Sequence, residues 1–330
     1  MNNVNLSTFI TVHTDEKKQN SVPDILTYFH VQPPYMLRRL RRLSNYFYTQ
    51  ECSKLKLSIT LPQLEALIII TASPHIDQVT LAKGLGADRS TTMALVDILE
   101  RNGWVKRNNA VDRRRNALVT TKTAAKILES AITTMQVSNN KLLSPLTTKQ
   151  QKRLISILFD LALHKNSPAP ILALVQSEKN EIQNQLNLVY QMPSFLMDRC
   201  SQIESTYMNE VAKQFELTYG QTGTLLAVGL LSPITQGELS HAAGLNRSSL
   251  SVILPVLIKN GLIEKGKDPQ DKRKTLLTSL PKGIRLIETM YPFANKATQQ
   301  CFNDISPEIK QEFCALLSTL VAAHESINTN

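Results

Sequence analysis

The sequence is poor in the residues on which covalent and metal chemistry is usually built. Its four cysteines, Cys52, Cys200, Cys301 and Cys314, form no CxxC pair and no Cys/His cluster. That pattern argues against a zinc site or a disulfide framework and leaves packing as their expected role. The six histidines, at 13, 30, 75, 164, 241 and 324, fall into no Ser/His/Asp or metal-ligand spacing, so neither an enzyme nor a cofactor or metal is expected. No apolar run approaches the roughly 20 residues that cross a bilayer. The N-terminal MNNVNLSTFITVHTDEKKQN also lacks the basic-then-apolar layout of a signal peptide. A soluble, cytoplasmic protein without a membrane partner is the expectation.

Positive charge is what the chain has in excess. The formal charge is +10 and the pI near 9.4, which implies an acidic partner. Without an amphipathic basic anchor, double-stranded nucleic acid comes before a membrane surface. The excess is uneven: residues 1–170 carry 23 Lys+Arg against 12 Asp+Glu, and the remainder 14 against 15, or +11 and −1. A length of 330 residues with 42% hydrophobic content can bury more than one core, so two domains are expected.

The stretch from Asp77 to Val119 reads as two short helices and a β-wing. A helix over Gln78–Leu85 ends at Gly84 and Gly86, and Asp88 is placed to cap a second helix running to about Asn102. Met93, Val96 and Leu99, with Leu95, fall at helical spacing and are expected inward. Arg89, Ser90, Thr91 and Ala94 then lie outward near the N-terminus, where short polar side chains suit base edges and phosphates. Gly103 stops the helix, Trp104–Arg107 reads as a strand and Asn116–Val119 as its return. The hairpin tip between them carries Arg113, Arg114 and Arg115. Such a helix fits a major groove and such a tip a minor groove. Candidate DNA contacts here are Arg89, Ser90, Thr91, Thr92, Arg107, Arg113, Arg114 and Arg115.

A helix-turn-helix closed by Leu99-Glu100-x-x-Gly103, a strand ending in Arg107, and an Asp112-x-Arg114 wing together resemble the MarR family of bacterial regulators. The resemblance implies a mainly α fold with small β-wings, DNA binding, and a homodimer with interdigitating terminal helices. It also implies that the first helix lines a groove for small aromatic or acidic ligands. That helix begins at Pro33-Pro34, with Leu37, Leu40, Leu43 and Phe47 as its apolar stripe and Arg38, Arg39, Arg41 and Arg42 on its flanks. Tyr35, Arg38, Arg39 and Arg42 are the candidate ligand contacts, an arginine pairing with a carboxylate by a bidentate fork. A solvated basic face is the plainer alternative.

The whole pattern recurs. Thr60 matches Thr218, Gln63 matches Gln221, Leu81 matches Leu239, Arg89 matches Arg247 and Gly103 matches Gly261, all at an offset of 158. One residue is gained in the second wing, after which Asp112 pairs with Asp271, Arg114 with Arg273 and Leu154 with Phe313 at 159. A period this long is one whole domain. The expected organisation is a flexible tail over 1–22, a first winged-helix domain over 23–164, a linker and bridging helix over 165–192, and a second domain over 193–330. The chain thus resembles a dimer fused into one polypeptide, a monomer with internal pseudo-twofold symmetry. The second copy supplies Arg247, Ser248, Ser249, Lys265, Lys272, Arg273 and Lys274 as DNA contacts. Pro255, which matches Asp97, is expected to kink its recognition helix.

Together these readings point to a repressor released by a small-molecule ligand and bound to an imperfect-palindrome operator. Two alternatives stay open: a thiol-oxidation sensor working through Cys52 near Tyr46 and Tyr48, and a winged-helix protein-interaction module that does not bind DNA.

Overall fold

The structure, a computed structural model, describes residues 33–108, 117–163, 188–243, 245, 247–303, 305–324 and 327. The tail over 1–22, the linker and bridging segment up to 187 and the arginine tip of the first wing lie outside them. Of the described residues, those up to Arg39 with those from Glu204 to Ser306 group into one compact unit, and those from Leu40 to Ile203 with those from Pro307 onward into another. The first of these is the second-head unit and the other the first-head unit, after the helix-turn-helix each contains.

Helix α1 (Pro33–Lys54) opens on two prolines, which suit a helix start because their missing N–H groups are not needed there. In α2 (Leu61–Ala72) the Gln63 side chain accepts the Thr60 N–H at 2.9 Å, closing the capping box that the Thr60-x-x-Gln63 spacing predicts. The helix-turn-helix follows as α3 (Gln78–Leu85) and α4 (Arg89–Arg101). Strands β1 (Ile76–Asp77), β2 (Val105–Asn108) and β3 (Ala117–Thr120) form an antiparallel sheet in the order β1-β3-β2, with Val105 opposite Thr120 and Ile76 opposite Leu118. The short β1 is additional to the two strands expected. Helices α5 (Lys122–Leu143) and α6 (Thr148–Ala162) complete the copy.

The second copy repeats this order with α7 (Pro193–Gln214), α8 (Tyr219–Leu231), β4 (Ile234–Thr235), α9 (Gln236–Ala243), α10 (Arg247–Lys259), β5 (Ile263–Lys267), β6 (Thr275–Ser279), α11 (Pro281–Gln300) and α12 (Pro307–Ala323). Its sheet has the matching order β4-β6-β5. The second-head core is built on Leu225, Val228, Leu239, Leu250, Leu257, Ile263 and Ile287, all fully buried. The first-head core includes Leu64, Leu67, Ile70, Val96, Leu99 and Leu118.

Helices α6 and α12 pack together within the first-head unit. Leu154, Ile157, Leu158 and Leu161 on one and Phe313, Leu316, Leu317 and Leu320 on the other are buried, and Arg153 pairs with Glu312 at 2.9 Å. His324, just past α12, hydrogen-bonds the Leu142 carbonyl at 2.9 Å and stacks edge-on against Phe47. The two apolar stripes read from the sequence therefore cover each other inside one chain. Among the described residues, no helix is long and apolar enough to cross a membrane.

Candidate nucleic-acid interface and cavity

Each head presents the N-terminus of its second helix as a polar, solvent-facing end. Asp88 caps α4: its carboxylate accepts the Thr91 N–H at 2.8 Å, the Ser90 hydroxyl at 2.6 Å and the Thr91 hydroxyl at 2.7 Å. The Ser90 hydroxyl, with the backbone and hydroxyl of Thr91, holds the Asp88 carboxyl well below the usual carboxylate range. Because both hydroxyls donate to Asp88, their lone pairs stay available to donors on a base edge. Arg89, Ser90 and Thr91 are exposed, as the sequence reading requires.

Two positions on α4 differ from that reading. Thr92 is wholly buried and its hydroxyl donates to the Asp88 carbonyl at 2.9 Å, so it belongs to the core rather than to the contact face. Met93, expected inward, is 53% exposed. The buried row is Thr92, Val96, Leu99, a strict i, i+4, i+7 stripe. A threonine can start it because a helix carbonyl satisfies its hydroxyl.

Arg107 is the third correction. Its guanidinium pairs with both Asp97 and Glu100 of α4, tying β2 to the recognition helix. A cation flanked by two carboxylates has little charge left for phosphate, so Arg107 is a brace within the head. The matching positions of the second copy are Lys265, Pro255 and Ile258, and the brace is gone. Helix α10 is a single helix through Pro255, which is exposed; the buried row Leu250, Leu254, Leu257 repeats that of α4 at the 158 offset. Exposed Arg247 and Ser248 open it, with Ser249 partly buried. Val252 on the outer face is 71% exposed. In the second wing, Lys265, Lys272, Arg273 and Lys274 are exposed, and Asp271 accepts the Arg273 N–H at 3.0 Å, holding the turn of the tip. Arg113, Arg114 and Arg115 of the first wing lie outside the described residues.

A cavity of about 120 Å³ lies in the second-head unit, lined among others by Tyr35, Arg38, Glu204, Tyr219, Gly223 and Tyr291. Arg38 donates to the Tyr219 hydroxyl at 3.1 Å, and that hydroxyl donates to Glu204 at 2.5 Å. Desolvation opposes the charge of Arg38, but Tyr219, Glu204 and Tyr35 outweigh it and hold the guanidinium above its ordinary value. Its Nε is buried without a hydrogen-bond partner among the described residues. Two of the four ligand candidates, Tyr35 and Arg38, are thus brought to the cavity. Arg39 and Arg42 do not line it, and Arg39 is buried.

Glu204 and Tyr219 are absent from the sequence-based candidates. The signal for them was faint: the positions that match them, Ser44 and Leu61, are neither acidic nor aromatic. Arg199 was also missed. It is fully buried in the first-head unit and donates to the Gly86 carbonyl at 3.2 Å, fastening the turn between α3 and α4.

Cys52 and Cys200 are buried; burial pushes the first up and the second up to about 12, against the thiolate form that a reactive cysteine needs.

A family model described as MarR family matches residues 59–116, and a second of the same description matches residues 215–274. The uncharacterised helix-turn-helix transcriptional regulator YdcH of Bacillus subtilis (strain 168) is 28% identical over 114 residues, 33% of this chain and 78% of its own. A regulator of the same type from Bacillus anthracis is 29% identical over 116 residues, 35% of this chain and 77% of its own. Among solved structures, Bordetella bronchiseptica BpsR, studied for regulation of its DNA binding by 6-hydroxynicotinic acid, is 26% identical. It covers 37% of this chain and 92% of its own, with a TM-score of 0.35. A mutant MarR from E. coli complexed with operator DNA is 20% identical, covering 38% and 91%, with a TM-score of 0.36. The relatives are transcriptional regulators rather than enzymes, and each family-model match falls on one helix-turn-helix and wing, so the chain carries in tandem two copies of a segment that MarR-family models match.

Proposed function

We propose that the protein is a cytoplasmic repressor that binds an imperfect-palindrome operator as a single-chain pseudo-dimer and is released by a small aromatic or acidic effector. The observation that carries this reading is the presence, in one polypeptide, of two helix-turn-helix heads with exposed Arg-Ser N-termini, Arg89-Ser90 and Arg247-Ser248. A basic wing follows each head in the sequence. The recognition helices enter successive major grooves, and the wings reach phosphates or the adjoining minor groove. The effector is assigned to the cavity holding Arg38, whose Nε lacks an acceptor that a carboxylate would supply. Its volume suits one aromatic ring, since an apolar cavity of about 150 Å³ takes benzene.

Fluorescence anisotropy with a duplex from upstream of the protein's own gene tests this. The expected result is tight binding whose log K falls linearly with log salt, by about 0.9 per phosphate contact. Binding no stronger than to random duplex would remove the operator reading. One observation favours a second reading, contact with another protein at the second head: Val252, Val256 and Ile258 expose apolar surface on α10. It predicts that Arg247→Ala leaves the salt slope untouched.

A further inference from the structure

The two copies can be aligned residue by residue at the place where the cavity lies. Helices α1 and α7 are both 22 residues long and end in the same turn: the Leu57 N–H reaches the Cys52 carbonyl at 2.9 Å, and the Leu217 N–H the Ala212 carbonyl at 2.9 Å. Lys56 and Glu216, in those turns, have φ of 54° and 56°. The first helices therefore match at an offset of 160, placing Asp198 where the other copy has Arg38 and Tyr48 where it has Met208. From the Thr60 and Thr218 caps onward the offset is 158, so Glu65 stands for Gly223 and Ile69 for Ala227. Beyond the wings it is 159, and Met135 stands for Ala294.

At four of these positions the first-head unit carries the larger side chain, and all four, Tyr48, Glu65, Ile69 and Met135, are buried there. The replacement at Gly223 matters most. A Cβ on Gly223 would point towards the Arg38 guanidinium at 4.0 Å, whereas Glu65 fills its own counterpart with a whole carboxyethyl group. Charge is inverted as well. Asp198 replaces the guanidinium and is engaged by Arg41 at 3.0 Å, and it lies close enough to Glu65 for the two carboxyls to repel.

We propose that the effector site survives in the second-head unit alone, that the chain takes one equivalent of a single-ring carboxylate there, and that Glu65 is the residue closing the counterpart. This rests on the effector reading given above. Interiors pack to crystal-like density, and the buried Glu65 side chain fills the space that Gly223 leaves open beside Arg38 in the other copy. A carboxylate ligand would also find Asp198, already paired with Arg41, where the second-head unit offers the Arg38 guanidinium. An effector thus acts on the complex from one side, in contrast to a homodimer, whose two sites are identical by symmetry.

Calorimetric titration of the full chain with benzoate as the probe tests the inference. One equivalent is expected. Gly223→Glu, which transplants the closing side chain, is expected to weaken binding at least about tenfold while far-UV circular dichroism and the unfolding midpoint stay near wild type. Should that variant fail to fold, Arg38→Gln reads the same site and is expected to lose the single equivalent. Two equivalents in the wild type, or undiminished affinity in either folded variant, would overturn the one-site inference and leave the effector reading standing. No benzoate binding by the wild type would remove the effector reading, and this inference with it.

Discussion

A Cβ built on Gly86 would stand 1.5 Å from the Arg199 Nη1, at a backbone position with φ of +62°. Both obstacles apply at once: an L side chain is strained at that φ, and Arg199 is fully buried and cannot swing aside. Gly86→Ala is expected to cost about 2 kcal/mol or more, read as a lower midpoint in urea with an unchanged m-value. Glu65 offers a pH test. Burial first, then the nearby Asp198, raises its carboxyl well above the ordinary value of 4.5. A raised folded value means that stability is full below the unfolded value and falls as pH climbs towards the folded one. Glu65→Gln removes that loss, and its stability relative to wild type should grow from about pH 5 to pH 8; a constant difference would show that Glu65 is ionised in the fold. Neither residue's role was readable in advance. Gly86 was legible as a turn, but Arg199 lies more than a hundred positions away, and only packing brings it there. Thr92 was misjudged for a related reason: hydropathy ranks it below Met93, and its hydroxyl's private acceptor is a fact of helix geometry.

At the scale of elements, helix ends were the most legible feature. The side chains of Asp77, Asp88, Thr147 and Thr218 accept the backbone N–H three residues on, and the Thr60 N–H donates to the Gln63 side chain. The register of the first helices was not legible, because Ser58 and Ile59 are extra in the first copy and shift the offset from 158 to 160. The brace from β2 to α4 was also hidden, since an arginine on a wing strand reads as a DNA contact until its two carboxylates are seen. Arg107→Ala is accordingly expected to destabilise the first head by about 1 kcal/mol, the scale of a partly exposed ion-pair network. It should leave the salt slope of DNA binding unchanged. Lys265→Ala, at the matching and unbraced position, is expected to lower that slope by about 0.9. A lowered slope for Arg107→Ala would return that residue to the DNA interface.

For the whole molecule, tandem duplication frees the two heads to differ, and three observations say they have. The positive excess lies in residues 1–170, the brace is made by the first copy, and the second-head unit holds a cavity beside Arg38. Arg89→Ala with Arg114→Ala is therefore expected to cost distinctly more DNA affinity than Arg247→Ala with Arg273→Ala, and nuclease protection should fade first over one arm of the operator. Equal losses would make the heads equivalent despite their charge. The covered terminal stripes of α6 and α12 remove the need for a second chain to bury them. The central claim is that one polypeptide supplies both heads of a dimer-sized DNA contact. Sedimentation equilibrium of the protein with its operator duplex tests this most directly: the account predicts a complex of one chain per duplex, and a complex of two chains per duplex at every protein concentration would contradict it.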